Sequence, residues 1–81
     1  MNVRVQLFAQ LRDLAGYDGR DIDVAEGATV QDLLDAVYAA IPALRIHDKN
    51  ILIGAGVEFV DRSYKLKPGE EIALMPPVQG G

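Results

Sequence analysis

The first quarter of the chain alternates between apolar and polar positions. Val3, Val5 and Leu7 are separated by polar residues, and this period of two predicts a strand with one buried face over residues 2–7. Residues 8–14 carry apolar side chains at helical spacing, which predicts a short helical turn. Alternation returns at residues 21–24 and predicts a second strand whose two aspartates face water.

The next periodic segment predicts the main helix. Its apolar residues repeat at the spacing of one helical face: Val30, Leu33, Leu34, Val37 and Ile41. Thr29 is the predicted N-cap, and Asp32 stands where the second half of a capping box would be. Pro42 lacks the N–H that another turn needs, so we expect the helix to stop there and residues 43–49 to form a connection.

The second half of the chain predicts three more strands. Residues 51–53 are continuously apolar, which is typical of a central strand covered on both faces. The segment Gly54-Ala55-Gly56 interrupts this run and predicts a bulge or a close backbone approach rather than a phosphate-binding loop. A strand over 57–61, a turn over 67–70 and a last strand over 71–75 complete the pattern.

This order of elements predicts an α+β fold of the ubiquitin-like, β-grasp kind, with one mixed sheet packed against one main helix. The chain has 81 residues, of which 49% are hydrophobic. That is enough for one core and too little for two, so residues 1–81 are predicted to form a single domain.

Composition narrows the chemistry. The chain has no Cys and one His, which excludes thiolate sites, a cysteine nucleophile and multi-histidine zinc sites. Its net charge of −4 disfavours nucleic acid as a partner. The sequence contains neither an apolar run long enough for a membrane span nor a signal peptide, so we expect a cytoplasmic protein without a membrane partner. The acidic surplus lies in residues 1–44, and its role is left open.

Isolated polar residues give weak signals for catalysis or metal binding. His47 has no nucleophile or second base near it in sequence and is interpreted as a loop residue, and Ser63 as a turn residue. The acidic residues between 18 and 26 lack the spacing of a calcium loop and are interpreted as a solvated surface.

Strand alternation also predicts an exposed apolar patch. If Ile72 and Leu74 face the helix, Met75 faces the opposite side of the sheet. Phe8 and Phe59 likewise lie beside residues that already fill core positions. Apolar residues on a helix-free face are exposed unless a partner covers them, so these three predict a partner-binding surface. A register slip of one residue would instead place them in the core.

The last residues suggest a chemical use. Pro76 and Pro77 end the strand, and a flexible tail finishing in Gly80 and Gly81 follows. Glycines have no side chains, so such a tail can enter a narrow channel of another protein. ATP can convert a terminal carboxylate into an acyl adenylate, from which sulfur or an amine displaces AMP. This chemistry needs no side chain of the chain itself, and it predicts Gly81 as the reacting residue.

Two segments resemble a known family. Residues 7–16 read LFAQLRDLAG and residues 66–81 read LKPGEEIALMPPVQGG. They look like the opening and closing motifs of the ubiquitin-like sulfur carriers (MoaD/ThiS), specifically the MoaD-type small subunit of molybdopterin synthase. The resemblance covers essentially the whole chain. The chain departs from the family at Gly56-Val57, where Asn-Gly is usual, and at Gly69-Glu70-Glu71, where Gly-Asp-Glu is common.

The resemblance implies a carrier that is not catalytic alone and holds no permanent cofactor. A ubiquitin-activating-enzyme-like adenylyltransferase would use ATP to adenylate Gly81, and a sulfur donor enzyme would then supply the sulfur of a thiocarboxylate there. The tail would enter the large subunit of molybdopterin synthase and give its sulfur to the pterin precursor in molybdenum cofactor biosynthesis. A hetero-oligomer, by resemblance a heterotetramer, is implied.

The resemblance also assigns contact residues. The family's hydrophobic contact surface corresponds to Phe8, Phe59 and Met75, with Arg12 as a charged contact and the tail from Pro76 through Val78 as its continuation. Three alternatives stay open: a sulfur carrier of a thiamine-type pathway, a protein modifier conjugated through Gly81, and a plain interaction domain.

Overall fold

The computed structural model describes residues 1–77, so the predicted tail residues Val78, Gly80 and Gly81 lie outside the described part. The elements are β1 (Asn2–Leu7), α1 (Ala9–Ala15), β2 (Gly19–Asp23), α2 (Val30–Ala40), a 3₁₀ segment (Pro42–Asn50), β3 (Leu52–Ala55), β4 (Glu58–Val60) and β5 (Glu71–Met75).

These strands form one mixed sheet in the spatial order β2-β1-β5-β3-β4. β1 and β5 are parallel to each other, and the remaining neighbours are antiparallel. The main helix α2 covers one face of this sheet, because its apolar stripe is buried together with alternate residues of β1, β3 and β5. The predicted α+β fold of the ubiquitin-like, β-grasp kind is therefore confirmed.

The predicted start of α2 is also confirmed. The backbone N–H of Asp32 donates to Thr29 Oγ1 at 3.4 Å, and the backbone N–H of Thr29 donates to Asp32 Oδ2 at 2.9 Å. This reciprocal capping box satisfies two backbone donors that the first helical turn would otherwise leave without partners.

One prediction about the middle of the chain is wrong. The central strand is β5 rather than β3, and Leu52 is exposed on the helix-free face between the buried Ile51 and Ile53. A continuous apolar run therefore did not mean a strand covered on both sides. The connection predicted for residues 43–49 has regular structure: these residues belong to the 3₁₀ segment, which Pro42 starts and which buries Leu44.

One polar cluster attaches the 3₁₀ segment to the rest of the domain. The Tyr38 hydroxyl donates to Asp48 Oδ1 at 2.6 Å, and Arg62 Nη1 donates to the same oxygen at 2.8 Å. Arg62 Nη2 also donates to the backbone oxygen of Asp48. The bond from Tyr38 first, and then the Arg62 guanidinium, hold the pKa of Asp48 below its usual range. Helix α2, the 3₁₀ segment and the loop after β4 thus meet at one carboxylate.

We expect Asp48→Asn to lower the free energy of unfolding at pH 7 by about 0.5–1 kcal/mol, because it removes the charge that strengthens the bonds from Tyr38 and Arg62. The loss is small because the carboxylate is partly exposed to solvent. A carboxyl group whose pKa is lowered by folding stabilises the protein above the unfolded pKa of ~3.9, and this contribution is lost as the pH falls through the folded pKa. Urea unfolding at several pH values should therefore show the two proteins converging in acid. Asp35→Asn, on the exposed side of α2, is the control for removing one negative charge.

Candidate functional site

An apolar depression lies on the helix-free face of the sheet. Its volume is about 190 Å³, and its lining includes Phe8, Phe59 and Met75, the three residues that alternation predicted for this face. Phe8 is 41% exposed and Phe59 71% exposed. We call the surface formed by these three side chains the apolar patch. The structure thus brings the three predicted residues together, while their role in binding stays a prediction.

Strand pairing explains why the depression is concave. Gly54 of β3 stands between Ala73 of β5 and Phe59 of β4, so the floor consists of small residues. A Cβ at Gly54 would lie 3.3 Å from Met75 Cε, closer than most such contacts, so the glycine leaves room for the methionine side chain. The predicted close approach at this segment is therefore made by a side chain rather than by a second backbone. Gly56, with φ of 64°, lies in the turn between β3 and β4.

Phe8 is held at the junction of β1 and α1. Its backbone N–H donates to the oxygen of Leu74 at 3.2 Å, which ties the junction to the central strand. The next residue, Ala9, has a φ of 51°, in the left-handed region that non-glycine residues seldom adopt. Such backbone strain persists only where surrounding contacts impose it, and it is concentrated at functional positions. No pattern in the sequence signals this strain.

Arg12 lies beside the apolar patch rather than within it. Its side chain is exposed on α1 and lines a separate depression that Phe8 also borders. Arg12 Nε is 3.8 Å from Asp13 Oδ1, a solvent-exposed pair. The predicted charged contact is thus adjacent to the predicted apolar one, and Phe8 separates them.

The root of the tail leaves the fold next to the patch. Pro76 and Pro77 directly follow Met75 and line a cavity of about 350 Å³ together with Gln10 and His47. His47 is interpreted from the sequence as a loop residue, but it belongs to the 3₁₀ segment and is half-buried. A tail that starts here begins at the edge of the apolar patch.

Residues 1–77 show neither a metal-binding cluster nor a membrane-spanning helix. They contain no group of three His, Asp or Glu side chains placed to hold a metal ion. No helix in the same range has the length and apolar character to cross a membrane.

Comparisons with known proteins agree with this architecture. The model of the ThiS family matches residues 5–81. The molybdopterin synthase sulfur carrier subunit of Chlamydomonas reinhardtii is 36% identical, with all of both chains covered. Small archaeal modifier protein 1 of Haloferax volcanii is 38% identical over 94% of this chain and 97% of its own length. The crystal structure of SAMP1 from Haloferax volcanii superposes with a TM-score of 0.88 at 36% identity, and all of both chains are covered.

We expect Ala9→Gly to raise the free energy of unfolding by about 0.5–1 kcal/mol, because removing the Cβ relieves a left-handed conformation and this gain exceeds the added chain entropy of glycine. Urea unfolding at neutral pH measures the change. Ala39→Gly, at an exposed position within α2, is the matched control and should lower stability by about 1 kcal/mol. If both substitutions destabilise equally, Ala9 is not strained.

Proposed function

The chain belongs to the ThiS family, and we propose that it is the sulfur carrier subunit of molybdopterin synthase, acting in the cytoplasm. The observation that carries this proposal is the end-to-end likeness to a protein named as that subunit. The closing sequence motif, with Pro76-Pro77 before a Gly-Gly end, supports the same function.

The proposed chemistry takes place at the carboxyl group of Gly81. A carboxylate oxygen attacks the α-phosphorus of ATP on an adenylyltransferase, and pyrophosphate leaves. A sulfur nucleophile at the oxidation level of sulfide, provided by a donor enzyme, then forms a C–S bond as the C–O bond to AMP breaks. The thiocarboxylate sulfur then forms a C–S bond to a carbon of the pterin precursor as a leaving group departs from that carbon. Water hydrolyses the resulting thioester, which leaves the sulfur on the pterin and returns the chain as a carboxylate. The chain contributes the carbonyl carbon and its presentation, while its partners contribute the catalytic groups and ATP.

We assign the apolar patch to docking of the large subunit. Two observations support this assignment: Phe59 is largely exposed, and the tail root at Pro76-Pro77 adjoins Met75. A partner that covers the patch would receive the tail without any rearrangement of the sheet. Exposed aromatic side chains of this kind commonly dominate the energy of protein interfaces.

A second function has a specific observation behind it. Small archaeal modifier protein 1 is about as similar to this chain as the carrier subunit is. A modifier would use the same adenylate, but a lysine amine of a target protein would displace AMP and leave an amide at Gly81. A sulfur carrier of a thiamine-type pathway would share the thiocarboxylate and differ in the acceptor. Sulfur carriers and protein modifiers therefore differ in the nucleophile that displaces AMP, which is sulfur for a carrier and a lysine amine for a modifier.

The test of the proposed function is the intact mass of the chain after expression beside its activating enzyme and a sulfur source. Exchange of one carboxyl oxygen for sulfur adds about 16 Da, and the adenylate route makes this product directly. The loaded chain, mixed with the large subunit and the pterin precursor, should return to its original mass. Adducts on lysines of other proteins without the mass gain would favour the modifier.

The matched control adds one alanine after Gly81. We expect this variant to remain folded and to gain no sulfur, because the carboxylate is displaced from the position at which it reacts. Sulfur loading of the extended chain would contradict the assignment of the reacting atom.

Phe59→Asp should weaken binding of the large subunit by at least about tenfold, since it places a charge in the predicted contact surface. Isothermal titration calorimetry measures this loss. The thermal midpoint should change little because Phe59 is 71% exposed. Ile46→Asp, at an 84% exposed residue of the 3₁₀ segment, is the control for adding a negative charge and should leave binding unchanged. A large fall in thermal midpoint for Phe59→Asp alone would place this side chain in the core.

A further inference from the structure

A second depression on the same face is lined by two arginines. Its volume is about 300 Å³, and it receives Arg4 from β1 and Arg12 from α1. Phe8 lines both this depression and the apolar patch, so the two surfaces are continuous. Two neighbouring guanidinium groups are unexpected in a chain whose net charge is −4. We call this surface the arginine depression.

The guanidinium of Arg4 lies against the backbone of Gly19 on the neighbouring strand. In the register of β1 and β2, Gln6 lies opposite Gly19 and Arg4 lies opposite Asp21, so these four residues share the helix-free face. A Cβ at residue 19 would stand 2.7 Å from Arg4 Nη2 and 3.2 Å from Arg4 Cζ. The glycine thus leaves space for the guanidinium, which reaches diagonally across the strand pair.

The backbone conformation at residue 19 does not account for a glycine there. The glycines with positive φ among residues 1–77 are Gly16, Gly27, Gly56 and Gly69. Gly19 is not among them, so a side chain here would act on its surroundings rather than on the backbone: it would make the end of the Arg4 side chain shift. The observed position of the Arg4 guanidinium therefore depends on the small residue opposite it on β2.

Each of the two arginines has a carboxylate nearby, in an ion pair that is exposed to solvent. Arg4 Nη1 lies 3.3 Å from Asp21 Oδ1, and both side chains of this pair are about half exposed to solvent, 47% and 58%. Asp13 makes the longer contact to Arg12. Exposed ion pairs of this kind contribute little and exchange readily with other anions. Asp18 also lines the depression, so three carboxylates stand near the two guanidinium groups.

We propose that the arginine depression binds a carboxylate side chain of the protein that covers the apolar patch, with Arg4 acting beside Arg12. This inference rests on the proposed function. A carboxylate matches the flat, forked donors of guanidinium and would replace an exposed ion pair within this chain. An apolar surface alone discriminates poorly between partners, whereas a charged contact fixes register and partner choice. Arg4 is thus a specificity-determining residue for the docking step.

The experiment uses the full chain and the molybdopterin synthase large subunit of the same organism, studied by calorimetry. Arg4→Gln should weaken binding about tenfold, the value of a charge-assisted hydrogen bond. Gly19→Ala keeps the net charge and shifts the end of the Arg4 side chain, so it should weaken binding by less than Arg4→Gln does. Arg20→Gln removes the same charge at a residue that lies opposite Val5 on the other face and donates to the Tyr17 hydroxyl. This control should change affinity less than about twofold.

Salt dependence provides a second measurement. Raising the salt from about 0.05 M to 0.3 M should weaken binding of the unchanged chain more than binding of Arg4→Gln, because salt screens the contact that the variant lacks. Thermal melts establish that each variant is folded. If Gly19→Ala does not fold, Arg4→Gln against Arg20→Gln decides the result.

The outcomes separate the two proposals. Equal affinities of Arg4→Gln and Arg20→Gln, with Phe59→Asp still weakening the complex, would overturn the arginine depression and leave the proposed function standing. An equal salt response of the unchanged chain and Arg4→Gln would overturn it as well. If the unchanged chain forms no complex with the large subunit, the proposed function fails and the inference fails with it.

Discussion

The register of β5 is the constraint on which the rest of the structure depends. This strand lies in the middle of the sheet, paired with β1 on one side and β3 on the other. Ile72 and Leu74 are completely buried on the α2 side. Because side chains alternate along a strand, Ala73 and Met75 must then face away from the helix. A slip of one residue would exchange the two sets, and burial of the first pair therefore determines what the open face displays.

The same pairing determines the shape of the open face. One row of residues crosses all five strands and runs, in order, through Gly19, Gln6, Ala73, Gly54 and Phe59. The residues near its centre, Ala73 and Gly54, have little or no side chain, and the residue at its β4 end is aromatic. Glycine at the β2 end makes room for Arg4, and glycine on β3 makes room for Met75. The apolar patch and the arginine depression are thus two results of one arrangement, in which absent side chains shape the surface as much as present ones.

Alternation and helical periodicity were sufficient for the element order, the capping box and the face on which Met75 lies. They failed where the position of a side chain depends on contacts between segments that are distant in sequence. Leu52 belongs to an apolar run, yet only strand order shows that its side chain points to the open face. Asp48 looks like any loop aspartate until Tyr38 and Arg62 converge on it from two other segments. The placement of Arg4 over Gly19 is likewise set by register, which a single sequence does not specify.

The position of the tail root constrains how a carrier of this kind can work. Under the proposed function, the activating enzyme and the large subunit both need the carboxyl group of Gly81, and the tail starts at the edge of the apolar patch. A partner that encloses the tail therefore also covers the patch, so the two partners must bind in turn. Each complex has to dissociate before the next step, which favours a small contact surface with a few strong points over an extensive one. An aromatic side chain on one side of Phe8 and a pair of guanidinium groups on the other provide such points. A charged contact also speeds encounter without slowing release in proportion, because steering acts mainly on the association rate.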